Sequence, residues 1–185
     1  MATIAVRMLK PTQGDDVQLV GRLAALTNEV YAVAESGLWR DGATRTTTAE
    51  LAGLIRAGEI AVATRDDRVV GSIRIHDVSG DASEFGILVA DPEQRSIGIG
   101  RALVSFAEER AYERGLRATQ LELLVPREWR HPSKEFLEAW YTRIGYRLVR
   151  TGSLGDGYPH LVPMLATPCD LRVYEKSLRS EASGR

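Results

Sequence analysis

Between an apolar stretch ending at Ala90 and a second that opens out from Ala102 and Leu103 stand Arg95, glycines at 98 and 100, and Arg101. These types at this spacing suit an anion. Glycines let a backbone approach a phosphate closely, and the exposed amides of a helix's first turn add donors and a favourable dipole. The two arginines supply the positive charge. A dinucleotide loop is excluded, because after Gly98-x-Gly100 the third glycine position of G-x-G-x-x-G is Leu103, and a Walker lysine is absent too. Side chains able to move protons or attack carbonyls are scattered elsewhere: His76, Glu84, Glu122, Tyr141, His160 and the single Cys169.

The elements that must carry these groups follow from periodicity. Residues 3–9 read as a strand. A helix follows, with Val20, Leu23, Ala24, Val30 and Tyr31 at helical spacing and Thr12 as its cap. Thr47 and Glu50 stand in capping-box relation before Leu51, Leu54 and Ile55, and Gly58 stops that second helix. Residues 35–45, with Trp39, are an irregular loop between the two. Ile60, Val62 and Thr64 alternate before an Asp66-Asp67 turn, and Val69, Gly71, Ile73 and Ile75 alternate after it, which predicts an antiparallel hairpin. Residues 83–90 form the next strand.

The anion loop then opens a helix whose Ile99, Ala102, Leu103, Phe106 and Ala107 share one face, with Gly115 at its end. A strand over 119–125, a helix over 134–143 and a strand over 146–150 follow, and 171–174 closes the sheet. Residues 151–168 hold three glycines and three prolines and are expected to be a long loop without regular structure. The fold class is α/β (α+β): a mixed, mostly antiparallel sheet flanked by helices.

The 185 residues suffice for one core, so residues 1–177 are expected to be one domain and 178–185 a disordered tail. With 44% hydrophobic and 26% charged residues and no apolar run near the ~20 residues of a membrane helix, no membrane role is expected. No signal-like segment opens the chain, which places the protein in the cytoplasm. A net charge of −1 gives no global attraction to nucleic acid, so an anion must be held locally. Cys169 has no companions for a disulfide or zinc, and no metal is expected.

Arg95-Ser96-Ile97-Gly98-Ile99-Gly100, set between a strand and a helix, resembles the R/Q-x-x-G-x-G/A signature of the GNAT superfamily of N-acetyltransferases. The order of elements agrees over nearly the whole chain. The resemblance implies acyl transfer from acetyl-CoA to a primary amine, a small molecule or a peptide, by direct attack in a ternary complex. Coenzyme A would lie on Arg95, Ser96, Ile97, Gly98, Ile99, Gly100 and Arg101, with its pantetheine arm along the main chain of Leu88, Val89 and Ala90. A homodimer is compatible with it.

Trp140-Tyr141-Thr142-Arg143-Ile144-Gly145-Tyr146 is similar to the family's F-Y-x-x-x-G-F segment, which implies Tyr141 as general acid. A phenol of pKa ~10 can protonate a departing thiolate of pKa ~8.5 at small cost. Alternatively Tyr141 only packs, since it shares an apolar face with Phe136, Leu137 and Trp140, which are read as core. Glu84, six residues before Ala90, falls where the resemblance places a glutamate base; a solvated strand carboxylate is the alternative. Glu122 and His76 are further base candidates, and His160 a substrate contact. Where many members have a coenzyme-contacting asparagine, seven residues before the tyrosine, this chain has Lys134. The rival from another class is a non-catalytic acyl-CoA-binding module on the same scaffold.

Overall fold

The computed structural model describes residues 4–94 and 97–178. Strand β1 (Ala5–Met8) is followed by a 3-10 turn (Pro11–Asp15) and helix α1 (Val17–Ala34). Thr12 lies inside that turn and is not the cap. Asp16 is: one carboxylate oxygen accepts the amides of Gln18 at 3.1 Å and Leu19 at 3.0 Å, satisfying two of the helix's orphan donors. Helix α2 (Thr48–Arg56) is capped by Thr47, whose hydroxyl accepts the Glu50 amide at 3.1 Å.

Strands β2 (Ile60–Arg65) and β3 (Arg68–Asp77) form the expected hairpin. Asp66 and Asp67 both have positive φ, 50° and 60°, as a two-residue turn matched to strand twist requires. Strand β4 (Ala82–Ala90), helix α3 (Ile99–Glu113), strand β5 (Ala118–Pro126) and helix α4 (Pro132–Arg143) come next. Strand β6 (Arg147–Ser153) leads to β7 (Cys169–Ser177). The stretch expected to be irregular is folded instead: β6 runs to Ser153, a short helix α5 (Leu154–Gly157) follows, and Pro159–Met164 is a 3-10 turn. Pro159 opens the 3-10 turn and Pro168 stands directly before β7, places where a proline starts an element as readily as it breaks one.

The seven strands stand in the order β1-β2-β3-β4-β5-β7-β6, antiparallel except for the parallel β4–β5 pair. Alternation along each strand divides the sheet's two faces. On one, Ile73, Ile75, Phe85, Leu121, Leu123 and Val125 pack under Ile99, Leu103, Val104 and Ala107 of α3 and Tyr141 of α4. On the other, α1 and α2 cover Ile60 and Val62, while Leu38, Leu154 and Cys169 cover Leu124 and Leu171. Between those two clusters the same face carries the polar residues Arg74, His76, Glu84, Gln120 and Glu122. Gly71 lets α3 come down onto the sheet, because a Cβ there would stand 2.6 Å from both the Val89 carbonyl and an Ile99 methyl.

Candidate active site

Strands β4 and β5 pair at only three positions, Ala82 with Ala118, Ser83 with Thr119 and Glu84 with Gln120, and then diverge. The opening therefore begins at Glu84. Beyond it β4 is bulged: Ser72 faces Val89 and Arg74 faces Gly86, so Ile87 and Leu88 together oppose one residue of β3. Ile87 has φ +45°, costly for a β-branched side chain, and strain of this kind gathers at functional positions. Burial raises the Tyr31 pKa on α1, and the Leu88 backbone beside the bulge is among the groups that oppose that rise. The divergence thus lies where the β4 main chain was expected to meet a pantetheine arm.

At the upper end of β4 the chain makes a 3-10 turn, Pro92–Gln94, and enters α3 through Gly98, whose φ of +89° is open to glycine at little cost. Among the described residues no side chain caps α3. Its first-turn amides, from Ile99, Gly100 and Arg101, are thus available to an anion, and the Arg101 side chain is exposed. This fits the donor set that a pyrophosphate needs. Arg95 and Ser96 lie outside the described residues.

Tyr141 is buried in α4, its ring centroid 6.1 Å from Phe85, 4.9 Å from Trp140 and 5.9 Å from Tyr146. Burial, with the nearby Tyr31 phenol, drives its pKa far above the ordinary value, so it stands in the protonated form that a general acid needs. Of the residues read with it as core, Leu137 and Trp140 are partly buried but Phe136 is not. Phe136 is 65% exposed and lines a cleft of about 400 Å³ with Ala34, Pro132, Ser133 and Leu137, between the end of α1 and α4.

Glu84 is 8% exposed, so it is no solvated strand residue. Burial raises its pKa, opposed by a hydrogen bond from Gln120 at 2.6 Å. His76 Nε2 stands 3.7 Å from its other oxygen, and desolvation, then the Arg74 charge, lowers the His76 pKa and keeps that ring neutral at neutral pH. Glu122 accepts the Tyr158 hydroxyl at 2.7 Å on the same face. His160 is exposed. Cys169 is buried and its thiol is pushed up to about 11, which leaves it protonated and a poor nucleophile. Lys134 is turned inward to Glu35. The basic loop before α4 is largely neutralised: Arg127 pairs with Asp170 at 2.5 Å and Arg130 with Glu135.

Tyr31 and Glu35 escaped sequence reasoning. Tyr31 counted only as part of a helical stripe, and a periodic pattern does not distinguish a packed phenol from one that reaches a strand's main chain.

A family profile for the acetyltransferase (GNAT) domain matches residues 56–148, half of the chain. The chain belongs to the GNAT acetyltransferase family. The match takes in β2 to α4 and the whole divergence between β4 and β5. No curated protein matches in sequence. Among solved structures, an aminoglycoside 6'-N-acetyltransferase complexed with coenzyme A superposes with a TM-score of 0.69 at 18% identity, covering 97% of this chain and 99% of its own. PaiA N-acetyltransferase from Thermoplasma acidophilum, in complex with coenzyme A, gives 0.69 at 16% identity over 95% and 99%. N-acetylglutamate synthase from Neisseria gonorrhoeae, complexed with coenzyme A and N-acetyl-glutamate, gives 0.65 at 14% identity; this GNAT chain covers 36% of that longer protein and is itself covered to 97%. At these identities the likeness is one of fold. The fold is the expected one, and the chain is a GNAT acetyltransferase that uses acetyl-CoA to acetylate an amine. Among the described residues no helix is long and apolar enough to cross a membrane.

Proposed function

We propose that this single-domain chain, over residues 1–177, transfers an acetyl group directly to a small-molecule or peptide amine in the cytoplasm, with the reaction seated where β4 and β5 diverge. The bound donor supplies a thioester. What supports the placement is that β4 and β5 part at a buried carboxylate, Glu84, with the Ile87–Leu88 bulge beyond it and the buried, protonated Tyr141 packed against Phe85 of the same strand. The amides of Ile99, Gly100 and Arg101 hold the pyrophosphate, with Arg95 and Ser96 completing the loop and Ile97 beside it. Leu88, Val89 and Ala90 hold the pantetheine arm, and the Leu88 amide polarises the thioester carbonyl.

Glu84, directly or through a water, takes the proton of the acceptor ammonium before attack. As the carbon–nitrogen bond forms and the carbon–sulfur bond breaks, Tyr141 protonates the departing sulfur. The raised carboxyl pKa of Glu84 suits it to that task better than a carboxylate in water, whose pKa of ~4.3 lies far below that of an amine. Thiol release from acetyl-CoA across a panel of primary amines tests the reading. Release that depends on one acceptor class supports it, and no release above background with any amine sinks it.

A further inference from the structure

Across the mouth of the divergence runs an ion pair that the scheme above leaves without a role. Glu35, the residue that ends α1, and Lys134, in the first turn of α4, meet at 2.8 Å, with side chains only 10% and 3% exposed. The other Glu35 oxygen accepts the Trp39 indole at 2.6 Å, so both oxygens are engaged. His131, just before α4, adds a contact from its ring to the Ser36 carbonyl at 3.1 Å.

Helix stability does not account for a lysine here. A cation in a helix's first turn faces the positive end of the dipole, and a buried charge is tolerated only with its partner in place. What the pair does is geometric. Helix α1 packs on β4 and α4 packs on β5, and those strands have separated, so the bond closes a gap that the sheet leaves open.

The two helices face each other in three steps. Glu35 meets Lys134; Ala34 and Leu137 wall the cleft; Tyr31 lies near enough to Tyr141 and to the Leu88 backbone for the charges to be felt. Residues 31, 34 and 35 share one face of α1, as 134, 137 and 141 share one face of α4. Fixing the first step therefore fixes the last.

We propose that Glu35 and Lys134 are positioning residues for acetyl transfer, their bond setting the separation between the Leu88 amide beside Tyr31 and the Tyr141 phenol. The proposal rests on the roles given above to Leu88 and Tyr141. An ion pair suits the task because it is directional and short, whereas apolar side chains of the same volume would fill the space without fixing the distance.

The test compares Lys134→Met, Lys134→Arg and the double variant Glu35→Gln/Lys134→Met with the parent, with kcat measured well below every thermal midpoint so that all are folded. Lys134→Met alone strands a buried carboxylate and should lower the midpoint. The double variant removes both charges and keeps an acceptor for the Trp39 indole, so its midpoint should return towards the parent's. Its kcat should nevertheless stay roughly 10- to 100-fold down, the order that a displacement near 1 Å costs a reacting pair. Its acetyl-CoA Kd should be unchanged, and Lys134→Arg should retain most turnover. Parent-level kcat in the double variant, or an acetyl-CoA Kd that worsens in step with kcat, overturns the proposal while leaving the functional reading intact. A parent that releases no thiol with any amine sinks both.

Discussion

Glu84 and Gln120 are the last residues at which β4 and β5 pair, and the Gln120 amide donates to the Glu84 carboxylate at 2.6 Å where the strands part. One interaction thus marks the start of the opening and fixes the carboxylate beside it. The bond stabilises the charged form, but burial outweighs it, and the Glu84 pKa lies above its ordinary value.

Glu84→Gln keeps the shape and removes the charge. If Glu84 takes the acceptor's proton, kcat/KM should fall most at neutral pH and recover at high pH, where the amine deprotonates unaided. Stability gives an independent readout. A carboxyl whose pKa is raised by folding favours the folded state below its unfolded pKa of ~4.3, and loses that contribution as pH rises through the raised value. The variant should therefore match the parent's thermal midpoint in acid and exceed it above that value. Superimposable rate profiles would pass the role to His76, Glu122 or water.

The uncapped start of α3 predicts that acetyl-CoA raises the thermal midpoint, since a ligand bound only by the folded state stabilises it by mass action. Gly98→Val should abolish the shift, because a φ of +89° is strained for a β-branched residue. In Gly100→Val the first added carbon would stand 3.6 Å from Trp140, an ordinary contact, so the protein should fold while its backbone is kept from the phosphates. An undiminished shift in both variants would remove the phosphates from this loop.

The parts of the candidate site that are legible in the sequence are those that one element carries. The glycines at 98 and 100 lie directly between a strand and an amphipathic helix, and the Asp66-Asp67 turn lies between two alternating runs, so neighbours in sequence are neighbours in space. Glu35 and Lys134 are 99 positions apart. Their meeting depends on how two helices cross a divergent sheet, which no local pattern encodes. The bulge at Ile87 is invisible for a different reason: an alternating strand reads the same with or without one extra residue opposite its partner. Asp16 is an N-cap type directly before the helix, but Thr12 is another, and periodicity alone does not choose between the two.

Tyr141→Phe removes one hydroxyl and keeps the ring against Phe85, Trp140 and Tyr146. Acetyl-CoA affinity and fold should persist. Turnover should drop about 10²- to 10⁴-fold if sulfur departure limits the rate, the usual contribution of a positioned proton donor. Direct binding and single-turnover rates separate the two effects. Unchanged turnover at every pH would leave Tyr141 as a packing residue.

Residues 38–40 and 164–166 join into one cover on the sheet face that holds Glu84, where the proposed scheme puts the acceptor amine. Trp39 bridges to Leu165, the Arg40 amide donates to the Met164 carbonyl at 2.9 Å, and the Ala166 amide donates to the Leu38 carbonyl at 2.9 Å. Tyr158 carries that cover down to the sheet through its bond to Glu122, on the face that holds Glu84. Removing the hydroxyl in Tyr158→Phe leaves Glu122 with one donor fewer and loosens the cover there. The pyrophosphate loop and Tyr141 are untouched. KM for the acceptor should therefore rise several-fold while acetyl-CoA Kd stays at the parent value. Because Tyr158 raises no charge of its own in the working range, burial and Glu122 having pushed its pKa up, this KM effect should be independent of pH between 6 and 9, in contrast to Glu84→Gln. Initial rates with both substrates varied, at three pH values, decide it: an equal rise in both Michaelis constants would assign Tyr158 to general stability and not to the acceptor.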